Sequence, residues 1–141
     1  MSHDIADLRR ILRDHHTIAV VGLSAEWHRP SYFAAKYMQE HGYRIVPVNP
    51  SVRSVLGEAA YARLEDIPFP VDWVDVFRRT EDVLPIAQSA LAIGARGFWQ
   101  QIGVVNHEAQ ALFDAAGLPA VMDCCSKVEH RRLGLGHPAR R

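Results

Sequence analysis

Short, mostly apolar runs alternate along the chain with longer stretches in which apolar positions recur every three or four residues. The runs are TIAVV (17–21), YRIVPV (43–48), DWVDVF (72–77), ARGFWQ (95–100) and LPAVM (118–122). Each is too short for a stable helix and apolar on both sides, the pattern of a strand in a sheet covered on both faces. Pro47 removes one ladder donor from the second run, which predicts an irregular end or an edge position there.

The stretches between them read as helices. Ser2 to His16 places Ile5, Leu8, Ile11 and Leu12 on one face and Arg9, Arg10, Arg13 and Asp14 on the other. A second helix opens with Pro30 at its first position or Ser31 as its cap, turns Phe33, Ala34, Tyr37 and Met38 inward, and ends at His41-Gly42. A third carries Pro85 in its first turn and closes at Gly94; a fourth is capped by Asn106 and stopped by Gly117. Val52 to Pro70 lacks clean periodicity, with a short strand or turn at Val55 to Gly57 and a helical turn at Ala62 to Asp66. Residues from Leu133 onward are rich in Gly, Pro and Arg, which predicts a frayed end.

Strands alternating with helices at this spacing imply right-handed βαβ units. The expected fold is α/β: a single Rossmann-like domain with a five-stranded, mainly parallel sheet and helices on both faces. A helix over 1–16 packs on a domain over 17–133, and a flexible tail covers 134–141. A chain of 141 residues, 48% hydrophobic and 23% charged, suits one such domain. Lys plus Arg balance Asp plus Glu at 16 each, so no bulk field recruits nucleic acid or an anionic membrane, and an anion needs a local site. No apolar run is long enough to span a bilayer, the N-terminus lacks a signal-peptide core, and the two cysteines, Cys124 and Cys125, are neighbours unsuited to a disulfide framework; a cytoplasmic location is the expectation.

In such a sheet ligands sit beyond the carboxyl ends of the strands, where strand order reverses. The first strand is cut off at Gly22, and a polar loop leads to the helix at Pro30 and Ser31, a corner that aims backbone N–H groups and a helix N-terminus at a phosphate. Ser24 adds a hydroxyl and Arg29 a charge; the alternative is a plain tight turn with a solvated arginine. Arg78 and Arg79 follow the third main strand, where a phosphate on a ribose could use one of them. A dinucleotide fingerprint wants two further glycines and an acid ending the second strand. This chain has Ser24 at the second glycine position and Asn49-Pro50 at the strand end, which argues against NAD; Arg53 is the candidate partner for NADP. For catalysis, Cys125 with Lys127 and Asp123 nearby is the candidate nucleophile, against the reading of a small core residue. The histidines, among them His28, His41, His107 and His130, show no metal-ligand spacing.

The segments GLSAEWHRPSY, RIVPVNP, VDWVDVFRR with EDV, GFWQQIGVVNHEA and VMDCCSKVEH together resemble the small stand-alone CoA-binding proteins, single domains similar to the CoA-binding domain of the succinyl-CoA synthetase α subunit. The resemblance runs from Thr17 to Leu133. It implies coenzyme A or an acyl-CoA as the ligand. Gly22, Ser24, Arg29, Pro30 and Ser31 would hold the diphosphate, and Val48, Asn49 and Pro50 would wall the adenine. Val76, Phe77 and Arg78 would complete the adenosine site, with Val83 of the EDV segment also among the binding positions. Trp99, Gln100, Gln101 and Gly103 would line the pantetheine path. Where the family usually has Arg before its cysteine, this chain has Cys124, while Cys125 and Lys127 are kept. In succinyl-CoA synthetase the phosphorylated histidine lies in a second domain, so the likeness is to the binding half. Three functions stand: a non-catalytic CoA module acting as carrier or sensor, CoA-dependent thiol or acyl-transfer chemistry through Cys125, and an NAD(P)-binding oxidoreductase or regulator. Trp27 and Trp99 are rim contacts or anchors for a second copy or a partner enzyme.

Overall fold

The computed structural model describes residues 5–138; Ser2 to Asp4, the side chain of Ile5 and residues 139–141 lie outside the described part. Its elements in chain order are α1 (Ile5–Asp14), β1 (Thr17–Val21), α2 (Pro30–Glu40), β2 (Arg44–Val48), β3 (Ser54–Val55), β4 (Glu58–Ala59), β5 (Trp73–Val76), α3 (Val83–Ala92), β6 (Phe98–Gln100), α4 (His107–Ala115), β7 (Ala120–Val121) and α5 (Ser126–Leu133). One-turn 3-10 segments at Leu64–Asp66 and Thr80–Asp82 interrupt the connections. Five strands form one parallel sheet in the order β2-β1-β5-β6-β7, the α/β Rossmann-like domain that the alternation predicts.

The period of two along each strand sorts the apolar residues into two layers. Ala19, Val21, Val74, Val76, Phe98 and Ala120 face α3 and α4, where Ala87, Ala90, Ala109 and Phe113 meet them. Ile18, Val20, Ile45, Trp73, Trp99 and Val121 face the other way, under Leu8, Ile11 and Leu12 of α1 and Ala35 and Met38 of α2. Pro47 sits in β2, an edge strand whose partner is β1. Tyr61 covers the end of that edge, its N–H donating to Pro47 O and its carbonyl accepting from Asn49 N. The expected strand or turn at 55–57 is the turn of the β3–β4 hairpin, with Leu56 and Gly57 both at positive φ as a two-residue primed turn requires.

Three departures have local causes. Phe33, expected inside, is 47% exposed, and the small Ala35 faces the sheet instead. The helix α5 has no counterpart in the periodic pattern because its sequence, SKVEHRRL, has no apolar stripe; the residues it buries are Ser126 and His130. His130 hydrogen-bonds the Tyr37 hydroxyl through Nδ1 (2.9 Å) and Gly136 O through Nε2 (2.7 Å), a pair of contacts that one neutral tautomer satisfies. That contact turns the chain after α5 back on the domain. Leu135 packs on the α1/α2 layer, the His137 ring lies against Gly42, and Pro138 is buried, where composition predicts fraying.

At the amino ends of the strands, the fully buried Asp72 accepts hydrogen bonds from the His16 and Thr17 N–H groups, each at 2.9 Å, and from Arg96 Nη2 at 2.7 Å. One carboxylate thus joins the α1–β1 turn to β5. Asp72→Ala leaves buried donors unsatisfied and is expected to cost about 3 kcal/mol of folding stability in a urea titration, with Asp72→Asn costing less.

Candidate functional site

Between β1 and β5 the strand order reverses: the chain leaves β1 toward β2 on one side and continues from β5 toward β6 and β7 on the other. Loops diverging from such a point leave a crevice beyond the strand ends. Gly22, at φ +88°, stands at its base. A Cβ there would lie 2.3 Å from Phe77 O and 3.4 Å from Arg78 Cδ, so any side chain would occupy the crevice. Gly22 N donates to Val48 O, and Asn49 Nδ2 donates to Leu23 O while its Oδ1 accepts from Ser51 N. Asn49 is therefore a latch between two loops.

Pro30 takes the first position of α2, and the N-cap is Arg29, not Ser31. Tyr32 and Phe33 N–H turn back to Arg29 O, which leaves Ser31 N–H as the first-turn amide with no acceptor inside the helix. The buried Ser31 Oγ accepts from Ser24 N (3.0 Å), and Ser24 Oγ accepts from Glu26 N (3.0 Å), so the Ser24 hydroxyl keeps its proton to donate.

Two cavities meet here. The larger, about 730 Å³, is lined by Gly22, Ser24, Glu26, Arg29, Pro30, Ser31, Phe77, Arg78, Arg79, Asp82, Gln101, Ile102, Gly103 and Val104. The smaller, about 340 Å³, lies between Val21, Val48 and Pro50 on one side and Ala62, Arg63, Leu64, Glu65, Pro85, Ile86 and Ser89 on the other, and Arg78 lines both. Arg29 pairs with Glu26 (3.4 Å), which also meets His28 (3.3 Å), and Arg79 pairs with Asp82 (3.3 Å). Among the described residues Arg78 is the rim arginine with no carboxylate within 4.0 Å.

The structure thus brings Gly22, Ser24, Arg29, Pro30, Ser31, Phe77, Gln101 and Gly103 to the larger cavity, Val48 and Pro50 to the smaller, and Arg78 to both. Five expected positions lie elsewhere. Val76 is fully buried in the α3/α4 layer. Trp99 is fully buried in the α1/α2 layer with Nε1 donating to Cys124 O, and Val83 is fully buried in the α3/α4 layer. Gln100 is fully buried and spends its amide on Asn106, accepting from Asn106 N and donating to Asn106 O. Asn49 is the latch described above. Val76, Trp99, Gln100 and Asn49 lie at or next to a strand end, but strand alternation or a backbone bond turns each side chain away from the cavities, and Val83 opens α3 with its side chain in the core. Sequence reading missed Ile102 and Val104 at the larger cavity and Ala62 to Glu65, Pro85, Ile86 and Ser89 at the smaller; the turn at 62–66 was visible, but its position over the end of β2 comes from the hairpin and Tyr61.

Cys125 is half-buried at the N-cap of α5 and lines neither cavity. Cys124 is buried, and burial pushes its thiol up to about 12. No cluster of three or more His, Cys, Asp or Glu suited to a metal occurs among the described residues.

Beneath the larger cavity lies a buried polar network. Gln101 Nε2 donates to Asp75 Oδ1 and to Ser126 Oγ (3.1 Å), and Gln101 Oε1 accepts from Ser126 N (3.3 Å). The Gln101 side chain is therefore committed to the interior and meets the cavity with its backbone edge. Asp123, at φ +58°, accepts from Gly103 N (2.8 Å) and donates its own N–H to Val104 O, which fixes the cavity's lip. Burial raises the Asp75 carboxyl from its ordinary 3.8 to about 7, against the opposing hydrogen bonds from Gln101, Ser126 and the Val76 backbone. Because the folded value exceeds the unfolded one, the stability that protonated Asp75 contributes is full below about pH 4 and is lost as pH rises through about 7. Asp75→Asn cannot ionise. Urea midpoints measured from about pH 5 to about pH 8 should therefore move in favour of the variant relative to the parent as pH rises.

This architecture has known counterparts. The YneT protein of Bacillus subtilis is 42% identical over 125 residues, 89% of this chain and 93% of that protein. A solved structure from Pyrococcus horikoshii OT3 superposes with a TM-score of 0.87 at 37% identity, covering 92% of each chain. The acetyl-coenzyme A synthetase 1 of Ca. Korarchaeum cryptofilum shares the fold at 19% identity and a TM-score of 0.68, over 81% of this chain and 26% of that one. A CoA-binding domain model matches residues 16–131, the span that holds both cavities and every loop around them, and on that match the chain belongs to the CoA-binding domain family.

Proposed function

We propose that the protein binds coenzyme A or an acyl-CoA across the two joined cavities and acts as a binding module, a carrier or sensor with no chemistry of its own. The observation that carries this reading is Arg78, a guanidinium with no carboxylate partner among the described residues, at the junction of a smaller cavity walled by Val21, Val48, Pro50 and Leu64 and a larger one that holds the Ser24–Ser31 corner. A ligand with an apolar base at one end, phosphates in the middle and a long flexible arm suits that order. The diphosphate would take the Ser24 hydroxyl, the Ser31 N–H and the positive end of α2. The adenine would lie between Val48, Pro50 and Leu64, and the pantetheine arm would run along Ile102, Gly103 and Val104.

The other two readings find less support. NAD requires an acid where Asn49 is, and the Asn49 side chain is already used on Leu23 and Ser51. Thiol chemistry requires a reactive cysteine at the ligand, and Cys125 lines neither cavity while the Cys124 thiol is held protonated by burial.

Calorimetric titration with CoA, acetyl-CoA, NAD and NADP tests the reading. CoA or its ester is expected to bind, and Arg78→Ala is expected to weaken that binding by about tenfold or more, with the thermal midpoint of the free protein unchanged. Binding of NAD or NADP without CoA would overturn it.

A further inference from the structure

We propose that Arg63 selects ligands carrying a phosphate monoester on the ribose, forming with Arg78 a two-arginine clamp across the smaller cavity. The inference rests on the CoA reading and deepens it by naming the residue that distinguishes the phosphorylated ribose from the bare one.

Among the residues lining the smaller cavity, Arg63 and Arg78 are the two cations. The cavity's other charge is the Glu65 carboxylate, whose pKa is lowered first by a hydrogen bond from Ser89 and in smaller part by the charge of Arg63. Arg29 and Arg79, at the larger cavity, each pair with a carboxylate that lines the same cavity, Glu26 and Asp82, whereas the partner of Arg63, Asp66, lines neither cavity. The smaller cavity therefore sets two guanidinium groups against one carboxylate, and Arg63 is the arginine that lines this cavity and not the other.

The backbone and side chain of Arg63 suit this use. It precedes the 3-10 turn at Leu64–Asp66 in extended conformation, and the buried Leu64 anchors that turn in the core. Its side chain is 71% exposed and held to Asp66 at 3.7 Å, a loose contact that a dianionic monoester can displace. A guanidinium fork meets two phosphate oxygens at once, which an ammonium cannot do. Arg78, at the junction, reaches toward the diphosphate as well, so the residue whose role is confined to the ribose end is Arg63.

The test is calorimetric titration of the wild type, Arg63→Ala and Arg63→Lys with CoA and with dephospho-CoA. The wild type is expected to prefer CoA by about tenfold or more; Arg63→Ala should lose most of that preference while binding dephospho-CoA as before, and Arg63→Lys should fall between. An Arg63→Ala protein that keeps the full preference overturns the assignment, as does a wild type that binds both ligands equally; either result leaves the CoA reading standing. A wild type that binds neither ligand overturns that reading together with the clamp.

Discussion

The site depends on the close approach of two strand ends. The Gly22 α-carbon and the Phe77 carbonyl pack so tightly that a methyl group does not fit between them. With β1 and β5 held together there, the loop carrying Ser24 and the loop carrying Arg78 leave from one point in opposite directions, and the space between them is the ligand crevice. Gly22 also adopts a positive φ that turns the chain out of β1 at once. A bulkier residue would push the strand ends apart and fill the space they define.

Buried carboxyls secure β5 at both ends of the sheet. Asp72 fixes its start to the α1–β1 turn through backbone N–H groups, and Asp75, near its end, joins Gln101 and Ser126. The first is compensated by Arg96, whose guanidinium reaches solvent; the second has no cation beside it and is shifted toward its neutral form by burial. Their environments differ with position: at the far end of the sheet Asp72 pairs with a guanidinium, while beneath the larger cavity burial favours the protonated form of Asp75.

Much of the fold was legible because strand alternation and helix punctuation are local signals. The runs 17–21 and 72–77, Pro30 at the helix start, the Asn106 cap and the stops at Gly94 and Gly117 all stand close to where the pattern puts them. The corner at Gly22 was legible for the same reason, since strand, glycine and helix follow one another in sequence. What escaped was set by distant contacts. The helix α5 buries a serine and a histidine, so no hydrophobic period announces it. Trp99 and Gln100 follow each other in β6, and their side chains point to opposite faces of a sheet covered on both, so closeness to the ligand loops in sequence did not mean exposure to them. Arg63 lines the smaller cavity because a hairpin and Tyr61 carry its segment over the edge of β2.

That Arg78 borders both cavities has a consequence for how a ligand is read. One guanidinium cannot be given in full to two separate phosphates, so on the proposed reading a nucleotide fragment and a phosphopantetheine fragment would compete for it even though they rested in different cavities. A molecule that joins both halves covalently meets no such competition, and its second half arrives at the high local concentration that tethering confers. On that reading the protein would measure the connectedness of its ligand as well as its parts, a property of the shared wall that neither cavity has alone.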